Sequence, residues 1–127
     1  MPATDAKVPQ TCGFEYIAFS FRTLQDLALA YRQRKERGIT PFWCVNHGPA
    51  TSMYYKDPDG NKIETQVDNF ETNEEANSFM MSSKFAESPM GTDFDPEDLI
   101  RRLESGEDEK SIKKRVEIGP RGLPDHM

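Results

Sequence analysis

The sequence predicts an α+β fold, a single β-α-β-β-β module followed by a helical C-terminal extension. Three observations predict it. Apolar residues are dense between Phe14 and Ile63 and sparse after Glu71. Within the dense part, one strand-like run precedes a helix-period run, and short apolar runs divided by turn residues follow. The 127 residues suffice for one ordinary domain. The expected organisation is a flexible polar arm over residues 1–12, the module over 13–70, the helical extension over 71–118 and an irregular Pro- and Gly-rich tail over 119–127.

The first element is a strand over residues 14–21, rich in aromatic and β-branched side chains. Tyr16, Ala18 and Ser20 fall on one face of it, and Ile17, Phe19 and Phe21 on the other. Thr23, with Asp26 three positions on, opens a helix in the manner of a capping box. Leu24, Leu27, Ala28, Tyr31 and Lys35 share a face by 3–4 spacing, with the Lys35 stem laid along it. Gly38 ends this helix. The apolar stripe is narrow, so the helix covers one face of a sheet rather than sitting inside a core.

A second strand is expected over residues 41–45, then a turn at Asn46, His47, Gly48 and Pro49, then a third strand over 52–56. The turn over 57–61 has a reason at each position. Pro58 presets φ, Asp57 and Asp59 bond nearby backbone, and Gly60 supplies the left-handed residue. The fourth strand, 62–66, returns antiparallel to the third. Beyond Phe70, helices are expected from Thr72 to about Met81, from Pro96 to Glu104, and from Glu107 to Val116, with residues 92–96 a loop. In the last helix acids come first and Lys110, Lys113, Lys114 and Arg115 last, complementing the helix dipole.

Composition excludes some partners. A net charge of -6 and a pI near 4.9 disfavour nucleic acid and acidic membrane surfaces. Residues 1–10 hold no apolar run of signal-peptide length, no stretch reaches the length of a membrane span, and Cys12 and Cys44 lie in no metal-ligand spacing. The expectation is a soluble cytoplasmic protein with reduced thiols. A module of roughly fifty residues buries little surface, so the sheet face opposite the helix must meet something. A second sheet, the C-terminal helices or another chain would serve.

Taken singly, the polar residues of the module leave their roles open. Glu64 shares a strand face with Lys62 and Gln66, which suits either a solvated face or a site. His47 sits in a Gly-Pro turn, and Tyr16 and Tyr54 suit either core or chemistry. His126 has no supporting context.

Together these residues form a pattern. The segment Gly13-Phe14-Glu15-Tyr16-Ile17-Ala18-Phe19, the turn Asn46-His47-Gly48 and the signature Tyr-x-x-Asp-Pro-x-Gly-Asn-x-x-Glu from Tyr54 to Glu64 resemble the vicinal oxygen chelate superfamily. That superfamily includes glyoxalase I, bleomycin-resistance proteins and extradiol dioxygenases, and the pattern resembles in particular the proteins related to biphenyl-2,3-diol 1,2-dioxygenase. The resemblance implies a module that pairs with a second one to form a cupped sheet around a divalent metal. In extradiol-like members the metal is Fe(II), held by two His and one Glu, with open positions for an aromatic diol and O2. Carried onto this chain, it makes Glu64 the carboxylate ligand of the metal. His47 becomes the histidine that handles protons, and Tyr54 the tyrosine that hydrogen-bonds the substrate.

The sequence departs from the family in two respects. Tyr16 stands where the first strand carries a histidine ligand, and a phenol ligates Fe(II) less well than imidazole. The second histidine belongs to a preceding module, and about a dozen residues precede Phe14. The chain therefore reads as the second half of a two-module oxidoreductase, or as a single module that forms a homodimer, with activity impaired on its own. A different class of function is a non-catalytic small-molecule binder of the bleomycin-resistance type, with Tyr16, Trp43, Tyr54 and Tyr55 lining the groove. A third is a structural module whose acidic helices bind a protein.

Overall fold

The computed structural model of the protein describes residues 16–119, with the backbone alone at Tyr16. The arm, the start of the first strand at Phe14 and Glu15, Cys12, His126 and the tail beyond Gly119 lie outside these residues. The chain order is β1 (Tyr16–Phe21), α1 (Leu24–Glu36), β2 (Trp43–Asn46), β3 (Ala50–Lys56), β4 (Lys62–Asp68), α2 (Asn73–Met80), α3 (Ser83–Glu87), β5 (Thr92–Asp93), α4 (Pro96–Glu104) and α5 (Glu109–Lys113). The strands form one mixed sheet in the order β1-β4-β3-β2-β5. β1 runs parallel to β4, and the other pairs are antiparallel. This is a mixed α+β fold, consistent with a single glyoxalase-like module.

Local chemistry fixes the ends of α1. Thr23 Oγ1 accepts the Asp26 N–H at 3.0 Å. The carboxylate that meets the remaining N–H groups is distant in sequence. Glu109 of α5 accepts the Leu24 N–H at 2.9 Å and the Gln25 N–H at 3.3 Å. At the other end, Gly38 at φ +79° donates to Lys35 O, and Ile39 donates to Arg34 O. This is the paired closure of a Schellman motif. Leu24, Leu27, Ala28 and Tyr31 are buried as expected. Lys35 lies beside Tyr31 on that face, its ammonium 5.9 Å over the Tyr31 ring. Its ammonium reaches Glu97 at 2.6 Å, and the Tyr31 hydroxyl donates to the same carboxylate. The Lys35 and Tyr31 hydrogen bonds hold the Glu97 carboxyl below the usual range.

The turn between β3 and β4 closes on Asp57. Its Oδ1 accepts the N–H groups of Asp59 and Asn61, while its own carbonyl accepts the Gly60 N–H. Partial desolvation alone would raise the Asp57 pKa, but these donors, with the Asn61 side chain first among them, hold it low. With the turn fixed, the register follows: Lys56 faces Lys62, and Tyr54 faces Glu64.

Two clusters fill the two sides of the sheet. On one side, α1 packs with Met53, Tyr55 and Val67, and Leu99, Ile100 and Ile112 of α4 and α5 join them. α4 and α5 thus extend the α1 layer. Their apolar side chains find Leu27 and Met53 rather than Tyr54. On the opposite side, Trp43, Val45 and Tyr54 pack with Phe42 and Met90. Met90 comes from the segment between α3 and β5.

Three expectations for the extension need correction. The last helix is shorter than residues 107–116 and covers Glu109–Lys113. A short helix, α3, follows α2. The segment 92–96 is not wholly loop, because Thr92 and Asp93 pair with Asn46 and Val45. Neither α3 nor β5 has enough residues to show a period. Among the described residues, no helix is long and apolar enough to cross a membrane.

Candidate functional site

β3 and β4 place Tyr54 and Glu64 directly opposite each other, on the sheet face away from α1. A cross-strand pair of this kind brings the two side chains into contact. The Tyr54 hydroxyl lies 3.1 Å from Glu64 Oε2, and the Ser52 hydroxyl donates to the same oxygen at 2.9 Å. On its other side the Tyr54 hydroxyl lies 2.9 Å from His47 Nε2. His47 Nδ1 lies 3.0 Å from the Met90 carbonyl. Three residues singled out in the sequence therefore form one hydrogen-bonded row: His47, Tyr54, Glu64.

The Met90 carbonyl can only accept, so Nδ1 carries a proton. The Tyr54 hydroxyl thus sits between the His47 imidazole and the Glu64 carboxylate, within hydrogen-bond distance of both. Trp43 stacks on the Tyr54 ring at 5.0 Å and its indole N–H donates to Asp93 at 2.8 Å. The ring of Tyr54 is thereby held flat, with only its hydroxyl in the row.

Asn46 of the motif holds the His47 turn, together with Asn69 and Arg115, which the sequence did not single out for the site. Asn46 Oδ1 accepts the Gly48 N–H and an Asn69 amide N–H, while its own Nδ2 donates to the Lys113 carbonyl. Asn69 also donates to Gly48 O at 2.7 Å. Arg115, with a side chain only 2% exposed, donates to the carbonyls of His47, Ser88 and Lys84 and pairs with Glu117. The asparagines leave a faint signal, since Asn and Asp gather at turns. Arg115 leaves none, because its partners lie far back in the chain.

Tyr16 sits in β1 opposite Lys62, two positions before Ala18, which is itself opposite Glu64. Its side chain lies outside the described atoms. Tyr55 faces the α1 side, so it cannot line the same groove as Tyr54 and Trp43. Cys44 also packs on the α1 side, where burial first, and Asp93 and Asp95 after it, push its thiol up to about 12.

The described residues do not by themselves fit a metal ion. No group of three or more His, Cys, Asp or Glu among them is arranged to hold one. Glu64 supplies a single carboxylate, and both ring nitrogens of His47 already have partners. The nearest neighbour to Glu64 on β1 is Ala18, which has no donor atom.

The fold is consistent with a single glyoxalase-like module, and this polar row lies on the open face of its sheet. The chain is a relative of the extradiol dioxygenases of the vicinal oxygen chelate superfamily. It is 39% identical over 110 residues to biphenyl-2,3-diol 1,2-dioxygenase 3 of Rhodococcus globerulus, a match covering 87% of this chain and 58% of the relative. It is also 39% identical over 104 residues to biphenyl-2,3-diol 1,2-dioxygenase 2 of the same organism, covering 82% of this chain and 55% of that relative. The chain thus spans a little over half the length of these relatives. No family model and no solved structure matches it.

Proposed function

We propose that this chain is a dioxygenase-like oxidoreductase module contributing one side of a site for an aromatic diol. The observation that carries the reading is the row His47, Tyr54, Glu64 on the open sheet face. In this reading Tyr54 hydrogen-bonds a diol oxygen, His47 takes and returns its proton, and Glu64 is the anionic ligand position for Fe(II) or another divalent metal. The metal, when bound, would activate diol and O2 together. The chain's own residues orient the diol, hold the proton and exclude water from the Trp43 side.

The remaining ligands come from a second module, either a second copy of this chain or another part of a longer one. Two features support pairing. Glu64 alone cannot hold a metal, and the β1 end of the open face leaves Ala18 and Ser20 exposed. Tyr16 is proposed as a lesser ligand on that same face. The site would work in a soluble, cytoplasmic setting. A binder without catalysis is less favoured, because the similar proteins carry dioxygenase names.

Trp43 stacks on Tyr54, so its fluorescence reports on the site. Catechol titrated into the full chain should change that fluorescence saturably. Tyr54→Phe and Glu64→Gln should each weaken the response about tenfold, the effect of losing a charge-assisted hydrogen bond. Failure of catechol to alter the signal would sink the diol assignment. Metal analysis of the purified chain tests the shared site separately. The expectation is well below one iron per chain. Stoichiometric iron that disappears in Glu64→Ala would show a complete ligand set in one chain and overturn the sharing.

A further inference from the structure

A pocket of about 510 Å³ borders the His47 turn at Gly48 and is walled by α5, the start of α3 and the loop through Phe70. Its volume lies in the range of small-molecule sites. Its lining is unusual for a chain of net charge -6, since Lys84, Lys110, Lys113 and Lys114 all contribute to it. None of these four lysines makes an ion pair among the described residues. Arg115 and Glu117 line it too, but they neutralise each other through two hydrogen bonds of 3.0 and 2.8 Å. The uncompensated charge is therefore all positive, and the arginine is a structural strut.

The pocket also has an apolar wall. Phe70 and Phe79 lie 5.7 Å apart at a 36° tilt. Phe79 is fixed from two directions. The Arg115 guanidinium lies 4.9 Å over its ring, and the ring rests on Gly48, where an added Cβ would come within 2.2 Å of it. A wall held this firmly presents a flat apolar surface without the cost of ordering it on binding. A cationic rim and an aromatic wall in one cavity match a ligand with a flat apolar body and an anionic group.

We infer that this pocket binds a small aromatic carboxylate, its ring against Phe70 and Phe79 and its carboxylate among Lys84, Lys113 and Lys114. The site uses none of the His47, Tyr54 and Glu64 side chains and does not depend on the diol reading.

The test is an NMR titration of the ¹⁵N-labelled full chain with benzoate, in EDTA to exclude metal. Saturable shifts are expected at the amides of Phe79, Lys84 and Lys113, with weaker binding at high salt. Lys84 is exposed and Lys113 half-buried, and Lys84→Ala and Lys113→Ala should keep the wild-type fold. Each should weaken benzoate about two- to fivefold, the range for one exposed ion pair. Benzyl alcohol, the neutral analogue, and inorganic phosphate, the anion without a ring, should both bind distinctly more weakly. The inference fails if benzoate causes no shifts at these amides or binds the lysine variants as tightly as wild type. It fails equally if benzyl alcohol or phosphate matches benzoate.

Discussion

The two faces of the sheet are built from the same strands but do different work. On the α1 face, Leu24, Leu27, Met53 and Val67 are at most 1% exposed and belong to one apolar cluster, with Thr65 beside them binding the Met53 carbonyl through its hydroxyl. On the opposite face the apolar cluster is small and lies to one side, over β2, under Met90. Toward β1 that face becomes polar and open, through Glu64 to Ala18 and Ser20. One face is thus a broad apolar core, and the other keeps polar groups beside a smaller apolar cluster. Strand alternation lets adjacent residues, such as Met53 and Tyr54, serve these separate ends.

That division can be broken from either side. The largest effect on stability should come from Leu27→Ala, which leaves a cavity where α1 meets the sheet. About 2–5 kcal/mol of unfolding free energy should be lost in urea denaturation. The catechol response of Trp43 should persist below the transition, and loss of both together would mean the faces are not separable. Tyr54→Phe makes the reverse case. It removes one hydroxyl between His47 and Glu64 and should cost only about 1 kcal/mol, while producing the larger change in catechol binding. A cost comparable to that of Leu27→Ala would show that the row is structural.

The smallest effect concerns the helical layer. Arg102 and then Ser111 hydrogen-bond Glu107 and hold its carboxyl down to about 2. A depressed carboxyl stabilises the fold above its ordinary pKa of 4.5, and the contribution fades as pH falls from there toward 2. Glu107→Gln should therefore be modestly less stable than wild type at pH 6, and the gap should close between pH 4.5 and 2. Acid-titrated circular dichroism reads this. A gap that stays constant with pH would remove the charge from the account.

Much of this was legible in the sequence wherever the cause is local. The Asp57 turn fixes the β3–β4 register within a few residues, and so the pairing of Tyr54 with Glu64 could be read from the chain. Thr23 and Gly38 mark the ends of α1 by short-range bonds. What could not be read depends on partners distant in sequence. The parallel pairing of β1 with β4 skips two strands. The Met90 carbonyl that fixes His47 belongs to a segment with no periodicity, and Arg115 bonds carbonyls at positions 47, 84 and 88. The bond from Glu109 to the start of α1 spans 85 residues.

That last bond bears on how the chain can be cut. Glu109 completes the opening turn of α1, the Lys113 carbonyl receives the Asn46 amide, and Arg115 ties down the backbone of His47. Each of these is a debt of the strand-and-helix unit settled by residues that follow it. A fragment ending near Phe70 would leave bare helix amides and an untethered His47 turn. The smallest piece able to fold with its site in order therefore runs at least to Arg115, and any fusion or domain swap should place its junction beyond that point.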